Sequence, residues 1–230
     1  MNPRIYVIIP AYNEADSIGL VITDVPTVVD EIILVSNAST DATEAEARKA
    51  GATVLTENRR GYGYACLKGM DYIAKIEAKP DIIVFLDGDY SDYPEQLTEL
   101  IKPILEHNID LVIGARKKEL REPGSMTLPQ RFGNKLATFL MKLMFNARFT
   151  DLGPFRAIKY DKLLALHMQD KTYGWTIEMQ LKAIKNNYSY TEIPVKYRNR
   201  IGVSKVSGTV KGAFLAGVKI LSWIFKYSFK

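Results

Sequence analysis

The segment Ile82-Ile83-Val84-Phe85-Leu86, which runs straight into Asp87-Gly88-Asp89-Tyr90-Ser91-Asp92, constrains the fold more than any other part of the chain. An unbroken apolar run with β-branched and aromatic members predicts a strand buried on both faces, as in a parallel sheet. In such sheets ligands bind beyond the carboxyl ends of the strands. Two carboxylates there, separated by a glycine that would let a ligand approach the backbone, suit a hard divalent cation bridging to phosphate oxygens. Asp and Gly are also ordinary turn residues, so this segment alone leaves both readings open.

Its neighbours share its pattern. Residues 4–9, 31–35, 52–55 and 110–114 also read as strands, with helices from about Ala15 to Val29, Asp41 to Gly51, Tyr64 to Ala78 and after Pro94. Asp41-Ala42-Thr43-Glu44 has the form of a capping box. Strands alternating with helices predict an α/β fold, a doubly wound and mostly parallel sheet. Polar residues close three of the strands: Tyr12 with Glu14, Ser36 with Asn37, and Asp87 with Asp89. They should gather on one sheet edge. Neither the Rossmann glycine fingerprint nor a Walker lysine follows any strand, so bound phosphates would rely on metal and basic side chains. For Glu14 and Asp41 helix capping is the plainer role, and for Asp41 the favoured one.

The second half differs in character. Residues 117–129 form a long polar connector, and Leu136, Phe139, Leu140, Leu143 and Met144 then recur at helical spacing, widened by Met141 and Phe145. A helix is expected over 173–187, a strand pair over 188–198 and a last helix over 209–229. That helix sets Lys219, Lys226 and Lys230 on one face and apolar residues over much of the rest. It suits an interfacial position on an anionic leaflet or contact with a second subunit, with packing on the sheet as the alternative. No uncharged run reaches the roughly 20 residues of a membrane span, and no leader peptide is visible. The net charge of +5 favours an anionic partner. Nucleic acid fits poorly, because the cations cluster near the expected phosphate sites rather than along an aromatic strand face. Cys66, the single cysteine, is expected in the core of a chain from a reducing compartment.

Several blocks carry a resemblance. Pro10-Ala11-Tyr12-Asn13-Glu14, the segment Ser36 to Thr43, Asp87-Gly88-Asp89, Arg131-Phe132-Gly133-Asn134, Thr150 to Arg156 and Arg200 to Lys205 occur in one order. Together they resemble the inverting family 2 glycosyltransferases of the GT-A fold, and among them the dolichyl-phosphate mannose synthases and polyprenyl-phosphate sugar synthases. The resemblance implies that Pro10, Tyr12, Glu14 and Asn37 line a base and ribose pocket, helped by the turn from Gly61 to Gly63. It implies that Asp87 and Asp89, around Gly88, hold Mg2+ or Mn2+ against the diphosphate, that Arg200 and Lys205 close over it, and that Arg116 and Arg131 hold an acceptor phosphate. Asp151 is the first candidate for a base or acceptor-positioning group, and Glu178 the second. Two positions depart from the family pattern: Ser36-Asn37 replaces paired acids, and Ser91 stands where mannose synthases often have Gln.

The expectation is therefore one domain over 1–230, with a nucleotide-sugar half (1–115), an acceptor half (116–208) and a C-terminal amphipathic helix (209–230). Its implied activity is metal-dependent inverting transfer of a hexose from a GDP- or UDP-sugar to a polyprenyl phosphate. The implied location is the cytoplasmic face of a membrane, with a homodimer possible. Transfer to a soluble or glycolipid hydroxyl, and a non-catalytic nucleotide-binding module that recruits a membrane partner, are the rival readings.

Overall fold

The computed structural model describes residues 3–202 and 210–228. Strand β1 (Ile5–Ala11) is buried along its whole length and pairs in parallel with β2 (Glu31–Asn37) and β4 (Ile82–Phe85). β2 pairs in parallel with β3 (Thr53–Glu57), and β5 (Leu111–Ala115) with β7 (Tyr190–Pro194). Between β4 and β5 lies β6 (Arg156–Lys159), antiparallel to both, giving the order β3-β2-β1-β4-β6-β5-β7. β6 has four residues, too short to show a period, and the sequence reading missed it.

The first-half helices fall close to expectation. They are α1 (Ala15–Thr23), α2 (Thr43–Lys49), α3 (Tyr62–Ile73) and α4 (Leu97–His107). α1 stops short of Val29 because Asp24 ends it two residues before Pro26. The capping box at Asp41 does not form: Glu44 turns to Thr56 and Arg48 instead of reaching back. Asp41 still accepts the N–H groups of Thr43 at 3.0 Å and Ala15 at 3.3 Å, tying α2 to the start of α1. The expected strand pair over 188–198 is one strand, β7, followed by an extended segment that meets Asp92 and Arg121 through Tyr197.

Core residues divide between the two sheet faces. One cluster joins alternate residues of β1 (Ile5, Val7, Ile9) to Ile18 and Val21 of α1 and Leu97 to Ile104 of α4. The other joins Tyr6 and Ile8 to α3, to α5 (Leu128–Phe145), α6 (Tyr160–Ala165) and α7 (Trp175–Lys185), and to Trp223 and Ile224 of α8 (Val210–Ser228). Cys66 packs there, and burial pushes its thiol well above the ordinary range. α5 opens with a capping box between Thr127 and Gln130. Its buried positions are Ala137 and Met141, whereas Leu128, Phe132, Phe139 and Leu143 are 61–74% exposed. Of the apolar stripe read from the sequence, Met141 joins the core with Leu140, Met144 and Phe145 packed against it, while Phe139 and Leu143 face out.

Candidate active site

β4 delivers Asp87 and Asp89 to the carboxyl edge of the sheet. Burial, and then the charge of Asp89, raise the Asp87 carboxyl to about 7, and its Oδ1 has no hydrogen-bond partner among the described residues. Asp89 is 8% exposed and accepts the N–H and hydroxyl of Ser91 on Oδ1, at 3.0 and 2.6 Å. Two buried carboxylates of like charge, one with an unpaired oxygen, fit a divalent cation. Among the described residues no three acids, histidines or cysteines converge as a metal cage. Two carboxylates plus substrate phosphates are a usual Mg2+ set, so this also fits. Gly88 behaves otherwise than expected. A Cβ there would meet Ala11 at 3.3 Å, so its small size serves core packing rather than ligand approach.

Asp92, three residues after Asp89, has no role in the sequence analysis. It is 1% exposed, and neither side-chain oxygen has a partner among the described residues. Burial, then Asp87 and Asp89, push its carboxyl well above the ordinary range. Over this turn lies the segment after β7, tied down by Arg198 N–H to Ser91 O (2.9 Å) and Ile201 N–H to Asp89 O (3.0 Å). These bonds present Arg200, whose guanidinium spans Glu14 Oε1 at 2.6 Å and Asp89 Oδ2 at 2.9 Å. Residues that follow β1, β4 and β7, remote in sequence, therefore meet. Lys205 lies outside the described residues.

Asp151 does not stand free as a base. Burial raises its carboxyl, but the Arg116 guanidinium and backbone N–H donors outweigh it and hold the group below its ordinary value. Arg116 donates to it through Nε (2.9 Å), Nη2 (2.7 Å) and its backbone N–H (2.8 Å). Glu178 is fully buried, paired with Lys182 at 2.7 Å, and accepts the N–H groups of Gln169 and Asp170. It does not line the cavity described below and organises the loop before α7 instead.

The donor-side turn also departs from expectation. Asn37 accepts the Gly61 N–H at 2.7 Å and donates to the carbonyls of Arg59 (2.7 Å) and Glu57 (3.3 Å), so its amide is spent on the turn rather than on a base edge. Gly61, at φ +148°, and Gly63 leave no room for a Cβ against the backbone carbonyls of Lys171 and Asp170. Their smallness admits a neighbouring loop, not a ligand. Tyr12 is half-buried at the end of β1, beyond the buried Pro10, and the Arg60 guanidinium lies 4.8 Å from its ring centroid.

Asp87, Asp89, Arg116 and Arg200 open into a cavity of about 620 Å³. Its farther walls come from the Gly124–Gln130 stretch and α5, from Trp175 and Tyr197, and from Ala216, Gly217 and Ile220 of α8. Sequence periodicity gives no sign of Trp175, Tyr197 or Ile220 as neighbours, since they sit on separate elements. Gln130, Gly133 and Asn134 line the cavity, but Arg131 is exposed on α5 outside it.

The family 2 model of glycosyl transferases matches residues 6–165. The chain is 30% identical over 213 residues to an uncharacterised glycosyltransferase of Mycobacterium tuberculosis, covering 91% of this chain and 93% of that one. It is 30% identical to the undecaprenyl-phosphate mannosyltransferase of Micrococcus luteus (96% and 93% covered) and 29% identical to the dolichyl-phosphate hexose transferase of Haloferax volcanii (90% and 88%). In fold it is similar to glucosyl-3-phosphoglycerate synthase of M. tuberculosis, solved with Mn2+, UDP and glucosyl-3-phosphoglycerate. The TM-score is 0.78 at 21% identity, over 98% of this chain and 80% of that one. A sheet of this topology with its acids at the β4 edge, a family match over most of the chain and a relative 30% identical over nearly its whole length lead to one assignment: the chain is a GT-A glycosyltransferase and belongs to glycosyl transferase family 2.

Proposed function

We propose that the chain transfers a hexose, with inversion, from a nucleotide sugar to a polyprenyl phosphate at an anionic membrane surface. The observation that supports this acceptor is the lack of a free base on the described cavity wall, since the unpartnered Asp92 does not line it. Among the described residues Asp87 and Asp89 are the only carboxylates lining the cavity, and no histidine lines it. Asp151 is locked to Arg116, and the chain has no acid after Glu192. A hydroxyl acceptor needs a group to take its proton, whereas a phosphate arrives already ionised.

In this reading residues 1–115 form the donor half and 116–208 the acceptor half. Asp87 and Asp89 would hold Mg2+ or Mn2+, which when bound supplies counter-charge to the diphosphate. Arg200 would take up charge developing on the leaving nucleoside diphosphate. Arg116 would meet the acceptor phosphate with Nη1, the guanidinium nitrogen outside its pair with Asp151. The apolar walls from Met126, Leu152, Trp175 and Ile220 would receive the first part of the lipid chain.

The exposed apolar faces of α5 and α8 support the membrane part. Leu215, Val218 and Phe225 of α8 are 43–49% exposed, beside 61–74% for Leu128, Phe132, Phe139 and Leu143 of α5. Arg131, Lys135 and Lys142 flank the α5 stripe, and no acid occurs between residues 123 and 150. Such a face suits an anionic lipid surface better than a second, equally basic copy. Among the described residues no helix is long and apolar enough to cross a membrane. Lys219 does not share in this face as expected, because it pairs with Asp170. Incubation with labelled UDP- and GDP-hexoses, Mn2+ and either polyprenyl phosphate or a panel of hydroxyl acceptors tests the reading. Glycosylation of hydroxyl acceptors alone would overturn it.

A further inference from the structure

Asp170 is buried in the loop before α7, beyond the residues that the family model matches, and its two carboxylate oxygens do separate work. Oδ1 accepts the N–H groups of Thr172 (2.8 Å) and Gly174 (2.9 Å), which shapes the loop itself. Oδ2 accepts from the Trp223 indole at 2.7 Å and pairs with Lys219 at 3.0 Å, both on α8. Gly174 makes the approach possible, since a Cβ there would collide with Asp170 Oδ2 and the Trp223 indole. Lys219 and Trp223 bracket Ile220, which with Ala216 and Gly217 forms the α8 wall of the cavity.

The other side of the same loop meets the donor-side turn. Gly63 and Tyr64 donate their N–H groups to the carbonyls of Thr172 (3.3 Å) and Lys171 (3.1 Å). Glu178 holds the loop from below by accepting the Asp170 N–H at 2.7 Å. One loop thus touches the donor turn with its backbone and the α8 wall with a single carboxylate oxygen. We propose that Asp170 is a positioning residue that sets the α8 wall of the acceptor cavity in register with the donor side. It touches no substrate and acts through Trp223 and Lys219. Its kinetic consequence rests on the acceptor reading above.

The division between the oxygens supplies the test, because the α8 bonds can be removed while the loop keeps those to Oδ1 and Glu178. Trp223→Phe keeps an aromatic ring without its N–H, and Lys219→Met keeps the aliphatic stem without its charge. In the full chain without ligand, hydrogen exchange of the double variant is expected to show lost protection across residues 216–224 and unchanged protection at Gly63 and Tyr64. With polyprenyl phosphate, its acceptor KM should rise roughly tenfold or more, the scale of a lost hydrogen bond to a charged group, at unchanged donor KM. With Trp223→Phe, Lys219→Arg in place of Lys219→Met should retain most of the acceptor affinity. Unchanged protection of α8, or donor and acceptor KM rising together as Gly63 and Tyr64 lose protection, would overturn the proposal. Should the wild type glycosylate no polyprenyl phosphate, the acceptor reading falls, and the exchange experiment still decides the role of Asp170.

Discussion

Arg116 and Asp151 meet as a doubly hydrogen-bonded ion pair, Nη2 to Oδ1 at 2.7 Å and Nε to Oδ2 at 2.9 Å, with side-chain exposures of 10% and 6%. A pair so enclosed is costly to break from one side, since the remaining charge stays buried without its partner. Asp151→Asn is therefore expected to destabilise the protein by about 3–5 kcal/mol in urea denaturation. A base would behave differently, with turnover lost at full stability. That second outcome would return Asp151 to the chemistry.

Asp89 pairs with Arg200 at 2.9 Å, and in the proposed function the two act together on the donor diphosphate. Calorimetry with UDP and Mn2+ should show affinity that a chelator abolishes in the wild type. Asp89→Asn should remove most of the metal-dependent part, and Arg200→Ala should weaken UDP binding while leaving its dependence on metal. Titrations of Asp89→Asn that match the wild type with and without chelator would remove the metal from Asp87 and Asp89.

Phe132 and Phe139 stand on the outer face of α5 at 69% and 61% exposure. Changing both to Asp should abolish co-sedimentation with anionic vesicles and leave UDP binding intact. Arg131→Ala with Lys135→Ala should weaken vesicle binding at low salt and matter less at high salt, where charge is screened. Wild-type protein that ignores anionic vesicles at low salt would leave the apolar face to some other partner.

Glu57 carries a prediction in pH. Hydrogen bonds from the Arg59 guanidinium, working against burial, hold its carboxyl at about 2, below the ordinary 4.5. Because the folded value is depressed, the stabilisation is complete above the ordinary value and fades as pH falls toward 2. Glu57→Gln should lower the thermal midpoint at pH 7, and the gap from wild type should narrow as pH drops below 4.5. A gap that stays constant with pH would show that Arg59 contributes no charge-linked stability.

How much of this was legible depends on the range of the interaction involved. β4 and its two aspartates could be read directly, because an apolar run ending in acids is a local pattern. β6 could not, since its four residues insert antiparallel between two strands that both lie more than 40 positions earlier in the chain, a matter of non-local pairing. The stripe on α5 was read correctly as a stripe, but periodicity reports that a helix has an apolar face without saying what covers it. Here the core receives Met141, with Leu140 and Met144 packed against it, and Phe139 and Leu143 are left outside.

The same limit separates residue identity from residue role at the site. The sequence by itself determined the alternation of strands and helices, the acids at the β4 edge, the cationic second half and the family that these blocks resemble. Only the tertiary structure decided that Asp151 answers Arg116, that Asn37 holds the 57–61 turn, that Glu178 supports a loop, and that Asp170 joins α8 to the rest. A carboxylate or amide has the same hydrogen-bonding capacity wherever it stands in the sequence. Which donors reach it in the folded chain is set by packing between elements far apart, and a buried polar group that finds a protein partner is no longer free for a substrate.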